Sequence, residues 1–161
     1  MKEDEKVYIV LTNTGTVLSR TIKFYTKINH NHVSISLDSS LSEVYSFGRK
    51  QVHNPFIRGL VQEDMHHPFY HKADCAIYLC KINESQKQHL NELLRDMYSN
   101  RDLYKYHFLG LIGILIKKKF NRQNAYFCSH FIATLFEKIG NPLVQKPACW
   151  VTPKDITMSP K

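Results

Sequence analysis

The sequence predicts a single α+β domain in which helices flank an antiparallel sheet. Strand-like segments and helical stripes follow one another along the chain, and no linker, internal repeat or low-complexity stretch divides it. The 161 residues suit one hydrophobic core. A hydrophobic content of 43% excludes a disordered chain.

Several segments have the residue pattern of β-strands. Strands are predicted at "VYIVLT" (7–12), "HVSISLD" (32–38), "EVYSFG" (43–48) and "DCAIYLCKI" (74–82), and a further strand is expected around "GLVQED" (59–64). The second of these alternates cleanly between polar and apolar residues, as a half-buried strand does. A short polar turn separates it from the third, which predicts a hairpin.

Helices are predicted around and after these strands. The predicted helical segments are 17–27, 85–98, a buried helix within 106–120, and 124–140. The second begins with "SQKQ", where Ser85 and Gln88 have the spacing of a capping box. The last ends at Gly140, with Pro142 two residues later. The closing stretch "CWVTPKDI" (149–156) is interpreted as a last strand or an extended segment.

Composition narrows the functional classes. The net charge is +8, which suits solubility or a partner with negative charge, such as an acidic lipid surface. The basic residues are mostly scattered and spell out no nucleic-acid module, so no nucleic-acid partner is predicted. A glycine-rich phosphate loop and a G-x-S-x-G elbow are missing from the sequence, and no cofactor is expected.

The location of the protein is also predicted from sequence. No apolar leader opens the chain, so we expect reduced thiols and a cytoplasmic location. The longest apolar run, "FLGLIGILI" (108–116), is about half of the ~20 residues that a membrane-spanning helix needs.

Cys128 is the candidate nucleophile among the four cysteines. It lies in the first turn of the last predicted helix, where unpaired N–H groups and the helix dipole favour a thiolate. The same N–H groups could hold the oxyanion of a tetrahedral intermediate. The alternative is a small, buried, inert side chain. Cys75 and Cys80 point to opposite faces of one strand, which excludes a redox pair.

A base for this thiol is predicted in the second strand. His32 opens that strand and shares its face with the small residues Ser34 and Ser36, which would let a helix approach; His30 is the competitor. A third polar group should orient the imidazole. Glu43 is the first choice because a carboxylate also stabilises the imidazolium, and Tyr45, Ser46 and Asp38 remain open alternatives.

The histidine strand with its hairpin partner, "HVSISLD…EVYSFGRK", followed much later by "YFCSHFIATLFEKIG", resembles the circularly permuted branch of the NlpC-type papain-like cysteine hydrolases. The resemblance covers about residues 7 to 156. It implies a permuted papain-like fold, with Cys128 matching the nucleophile, His32 matching the base and Glu43 lying near the third polar position. Related proteins include acyltransferases of the lecithin retinol type, so the resemblance implies thiol chemistry on an acyl bond.

The expected function is therefore a cysteine hydrolase, an amidase or peptidase, acting on a small peptide, N-acyl or lipid-like substrate. Arg49 and Lys50, with Tyr45 nearby, are predicted to lie at the rim of the cleft and to bind a carboxylate or phosphate on that substrate. The alternatives are a lipid acyltransferase and a non-catalytic module that binds acyl chains or anionic lipid. The histidine-rich loop 66–71 fits no closed tetrahedral pattern, and no metal is predicted.

Overall fold

A computed structural model describes residues 4–13, 30–51, 53–107, 110, 113, 116–119 and 123–159. The strands are β1 (Glu5–Asn13), β2 (His32–Ser36), β3 (Val44–Gln51), β4 (Asn54–Glu63), β5 (Asp74–Ile82), β6 (Lys105–Tyr106) and β7 (Ala125–Tyr126). The helices are α1 (Glu84–Ser99), α2 (Cys128–Lys138) and the short α3 (Pro153–Thr157). Single 3₁₀ turns lie at Pro68–Tyr70, Arg101–Leu103 and Ala148–Trp150.

The main sheet has five antiparallel strands in the order β4-β3-β2-β1-β5. Each strand from β1 to β4 pairs with a strand adjacent to it in the chain, as hairpin-type connections produce, whereas β5 returns to pair with β1. The short strands β6 and β7 pair in parallel and bring Tyr106 beside Tyr126, immediately before α2. The α+β prediction is thus confirmed.

The two faces of the central strands differ in chemistry. One face of β2 and β3 contributes Val33, Ile35 and Phe47 to the hydrophobic core. Phe131 of α2 packs on that face, with its ring centroid 5.0 Å from that of Phe47. The opposite face carries His32, Ser34 and Ser46 by the period-two alternation of strands, and both serines are fully buried. The sheet therefore buries polar groups as well as apolar ones.

The predicted strands are all present, and the hairpin of β2 and β3 is confirmed. The strand expected around 59–64 is the end of β4, which is longer because it pairs along most of β3. The predicted helix at 17–27 lies outside the described residues, as do residues 108, 109, 111, 112, 114, 115 and 120 of the buried helix predicted within 106–120.

Two predicted helix starts and the predicted conformation of the tail were wrong. The capping residue of α1 is Asn83, not Ser85, because the Asn83 side chain and that of Gln86 satisfy each other's backbone N–H groups. Helix α2 begins at Cys128 rather than at residue 124, because Ala125 and Tyr126 pair as β7. The tail forms α3, not an extended segment, because Thr152 and Asp155 build a capping box ahead of Pro153.

Among the described residues, the longest helix is too short and too polar to cross a bilayer.

Candidate active site

Cys128 is the first residue of α2. Its N-cap residue, Phe127, has no side chain that can accept a hydrogen bond, so the cap leaves the first-turn N–H groups to other partners. A negative charge at this position is favoured by these N–H groups and by the helix dipole. The Cys128 side chain is buried, with 7% of the residue exposed.

The thiol lies where β2 and β3 separate. The two strands pair at Ile35↔Tyr45 and Ser36↔Val44, and the register stops before the first residues of β2. There the Cys128 Sγ approaches the backbone of β2 instead. It lies 3.9 Å from the carbonyl oxygen of Asn31, and the N–H of Val33 donates a hydrogen bond to it. The backbone at the start of β2, which is not paired with β3, thus provides the polar contacts that a buried sulfur needs.

His32 bridges this thiol and a carboxylate. Its ring is hydrogen-bonded to Cys128. Its Nε2 lies 2.6 Å from Oε1 of Glu63, the last residue of β4. The three side chains form a chain of contacts in the order thiol, imidazole, carboxylate, which is the arrangement of a nucleophile, its base and an orienting group.

Glu63 is held by two serines as well as by His32. Ser34 Oγ donates to Oε2 at 2.7 Å, and Ser46 Oγ donates to Oε1 at 2.6 Å. Gly48 gives the cluster its room, because a Cβ there would lie 2.9 Å from Glu63 Oε1 and 3.2 Å from Cε1 of His32. The carboxylate therefore has a fixed orientation toward the imidazole.

The electrostatics of these groups favour an ion pair. Burial opposes the charge of His32, but the Glu63 carboxylate and the hydrogen bonds to Cys128 and Glu63 outweigh it and raise the pKa of His32 to about 10. Burial likewise opposes a thiolate, yet the hydrogen bond and charge of His32, with the Val33 N–H, lower the pKa of Cys128. Burial alone would raise the pKa of Glu63; His32 and the serines lower it instead.

Two predicted residues, Cys128 and His32, are thus in contact, but Glu43 is not the third. Glu43 is exposed, and its Oε2 accepts a hydrogen bond of 3.5 Å from the Tyr45 hydroxyl. The register Ser36↔Val44 explains this, because it puts even-numbered β3 residues on the face of His32 and odd-numbered ones on the other. The carboxylate beside His32 is Glu63 instead.

The predicted substrate-binding residues Tyr45 and Arg49 have different surroundings. Tyr45 lies in the core, with its ring centroid 5.5 Å from that of Tyr98 in an edge-to-face contact. Arg49 lines a cavity that Glu63 also lines. The competitor His30 precedes β2 and is only partly buried.

Other residues of the site were not identified from sequence. Ser34 was considered only as a small residue and Ser46 only as an alternative orienting group, whereas both hold Glu63. Arg58 and Tyr106 lie near the thiol: the Arg58 guanidinium is 5.1 Å from the Tyr106 ring centroid, and its charge helps to lower the pKa of Cys128. The one available signal for Glu63 was the alternation in "GLVQED", which puts it on the face of Val61.

Within the part of the chain that the structure describes, no group of three histidine, cysteine, aspartate or glutamate side chains could hold a metal ion. Comparisons of the chain with models of protein families, with curated proteins and with solved structures give no match.

Proposed function

We propose that this protein is a cysteine-dependent hydrolase that acts on an amide or ester acyl bond. The observation that carries the proposal is the contact of Cys128 with His32 and of His32 with Glu63. A histidine strand that precedes the cysteine helix in the chain also agrees with the permuted papain-like arrangement that the sequence resemblance implies.

The reaction begins with the thiolate–imidazolium pair. The Cys128 sulfur attacks the acyl carbonyl carbon, and the carbonyl electron pair moves to oxygen to give a tetrahedral oxyanion. The Cys128 backbone N–H, in the first turn of α2, is placed to donate to that oxygen. Collapse of this intermediate breaks the bond to the leaving group, which takes its proton from His32 and leaves a thioester on Cys128.

The second half of the reaction releases the acyl group. His32, now neutral, accepts a proton from water as the water oxygen attacks the thioester carbonyl. Collapse of this second tetrahedral intermediate breaks the C–S bond, releases the carboxylic acid and leaves the Cys128 thiolate beside protonated His32, which restores the starting ion pair. An amine or hydroxyl acceptor in place of water would make the same thioester an acyl donor, so an acyltransferase uses the same residues. Glu63 keeps the ring oriented and stabilises its positive charge in both halves.

The proposal is tested by the rate at which iodoacetamide alkylates each thiol. We expect Cys128 to react at least ~10-fold faster at pH 7 than Cys75, which is exposed and whose pKa is raised by partial burial. The rate should fall sharply in His32→Ala. His30→Ala is the matched control, because it removes the same ring two residues earlier, and it should leave the rate unchanged.

Equal and slow alkylation of Cys128 and Cys75 would contradict the proposal. That result would favour a non-catalytic binding module with the same fold.

A further inference from the structure

A cavity of about 410 Å³ lies beside β3 and β4, next to Glu63, the carboxylate that orients His32. This volume is in the range of small-molecule sites, which is roughly 300–1,000 Å³. Leu60 and Val61 contribute apolar surface to its wall, and Tyr70 and Tyr98 contribute rings. Glu63 belongs to the same wall, so the cavity begins one hydrogen bond away from His32.

The charges around this cavity are unequal. Arg49, Lys50 and Arg101 line it, against the carboxylates of Glu63 and Asp64. The charge of Glu63 is balanced by His32, whose Nε2 lies 2.6 Å from it. Asp64 therefore faces an excess of positive charge, which favours an anionic guest.

The two guanidinium groups are held in place by aromatic rings. The Cζ of Arg101 lies 4.8 Å from the ring centroid of Tyr98, and Nη1 also donates to the Tyr98 carbonyl oxygen at 3.1 Å. The Cζ of Arg49 lies 5.3 Å from the ring centroid of Phe69. A stacked guanidinium keeps its planar set of donors in a fixed direction, which suits carboxylate or phosphate oxygens.

We propose that this cavity binds a carboxylate or phosphate group of the substrate whose acyl carbonyl Cys128 attacks. The inference rests on the proposed function and names its substrate class: an acyl compound that carries an anionic group away from the bond to be broken. Glu63 lines the cavity and is hydrogen-bonded to His32, so it connects the cavity to the base of the proposed reaction.

Binding is tested first, without any reaction. Hexanoate, hexyl phosphate and neutral hexanol share a six-carbon chain, and titration calorimetry on the whole protein measures their dissociation constants. We expect at least one of the two anions to bind at least ~10-fold more tightly than hexanol, and the tighter one identifies the preferred anion. Arg101→Gln should raise the dissociation constant of that anion at least ~5-fold. Lys154→Gln removes the same charge from the exposed surface of α3 and should leave its affinity within about twofold.

Substrate selection is tested with a matched pair of esters. Mono-4-nitrophenyl adipate and 4-nitrophenyl hexanoate differ in a terminal carboxylate against a methyl group. We expect kcat/KM for the adipate ester to be at least ~10-fold higher in the wild type, and Arg101→Gln to reduce that ratio with little change for the hexanoate ester. For a preferred phosphate, the ester of 6-phosphonohexanoic acid replaces the adipate.

Several results would overturn the inference. Equal affinity for the anions and hexanol, or an equal loss of anion affinity in Arg101→Gln and Lys154→Gln, would show that the cavity is not an anion site. Equal kcat/KM for the paired esters, with both reactions dependent on Cys128, would overturn the substrate assignment and leave the proposed function standing. Charge-dependent binding without any Cys128-dependent cleavage would overturn the proposed function, and the substrate assignment with it.

Discussion

Cys128 is a buried thiol whose surroundings act against the usual consequence of burial. A cysteine in apolar packing has a raised pKa and reacts slowly. Here the imidazolium of His32 and the N–H of Val33 lower the pKa of Cys128 despite its burial. The reactivity of this sulfur therefore depends on whether His32 keeps its proton, and His32 keeps it because Glu63 lies 2.6 Å away.

Replacing Glu63 by glutamine tests this dependence. Glu63→Gln keeps the shape of the side chain but removes the charge that raises the pKa of His32. We expect the pKa of His32 to fall and the pKa of Cys128 to rise, since an ion partner typically shifts a neighbouring pKa by about 1–3 units. Alkylation of Cys128 by iodoacetamide at pH 7 should slow at least ~10-fold.

Glu43→Gln is the matched control for that variant. It makes the same chemical change on an exposed side chain that faces away from His32. The alkylation rate should stay at the wild-type value. If alkylation slowed more in Glu43→Gln than in Glu63→Gln, Glu43 and not Glu63 would be the residue that orients His32.

At the scale of elements, the pairing of β3 with β4 makes room for the site. Gly48 and Gly59 are directly opposite each other in this pair. A Cβ on Gly48 would lie 2.9 Å from Oε1 of Glu63 and 3.0 Å from the Ser46 hydroxyl, both of which are buried and hydrogen-bonded. A Cβ on Gly59 would instead meet the flexible end of Lys50, 2.6 Å away.

These two glycines give a matched pair of variants. Gly48→Ala should displace Glu63 from His32, so we expect alkylation of Cys128 to slow at least ~5-fold. Gly59→Ala should leave the rate within about twofold, because the Lys50 side chain can move away at little cost. Circular dichroism would check that both variants fold. Equal rates in the two variants would show that the space in front of Gly48 does not control the orientation of Glu63.

The elements differ in how far the sequence specified them. The strands β2 and β5 were predicted from their residue types and patterns, but their burial was not: β2 is buried on both faces, and most of β5 is exposed. The start of α1 was misassigned by two residues, because Asn83 and Ser85 can both cap a helix and the choice depends on which side chain Gln86 reaches. The start of α2 depended on the pairing of β7 with β6, which no local pattern indicates.

The third residue of the site shows the same limit. Cys128 and His32 were identified because their local positions, a first helical turn and the start of a strand, have chemical meaning by themselves. Glu63 acquires its role through the register of three strands, because β3 lies between β4 and β2. Sequence distance gave no reason to prefer it over Glu43, which lies closer to His32 along the chain.

For the whole molecule, acid stability is expected to depend on His130. This residue is in the first turn of α2, and its ring centroid lies 4.8 Å from that of Tyr126 and 5.3 Å from that of Phe127. Its Nδ1 is buried without a hydrogen-bond partner among the described residues. Burial, with the nearby charge of His107, lowers the pKa of His130 to about 4 from its ordinary 6.5.

The sign of the pH dependence follows from these two values. Between about pH 6.5 and pH 4 the unfolded chain binds a proton at His130 that the folded protein excludes, so stability falls as the pH falls. His32, whose pKa is raised to about 10, is protonated in both states below pH 6.5 and adds little slope there. Glu63 and Asp155, whose pKa values are lowered, lose their contribution at lower pH, where carboxyl groups of the unfolded chain titrate.

His130→Phe tests this assignment, because it keeps an aromatic ring and removes the titration. The free energy of unfolding, from urea denaturation at several pH values, should fall less between pH 6.5 and pH 4.5 in the variant than in the wild type, by about 2 kcal/mol. His89→Gln, an exposed histidine on α1, is the control and should keep the wild-type slope. If His130→Phe also keeps that slope, acid sensitivity arises from other groups, and the buried Nδ1 has no measurable part in the acid stability of the molecule.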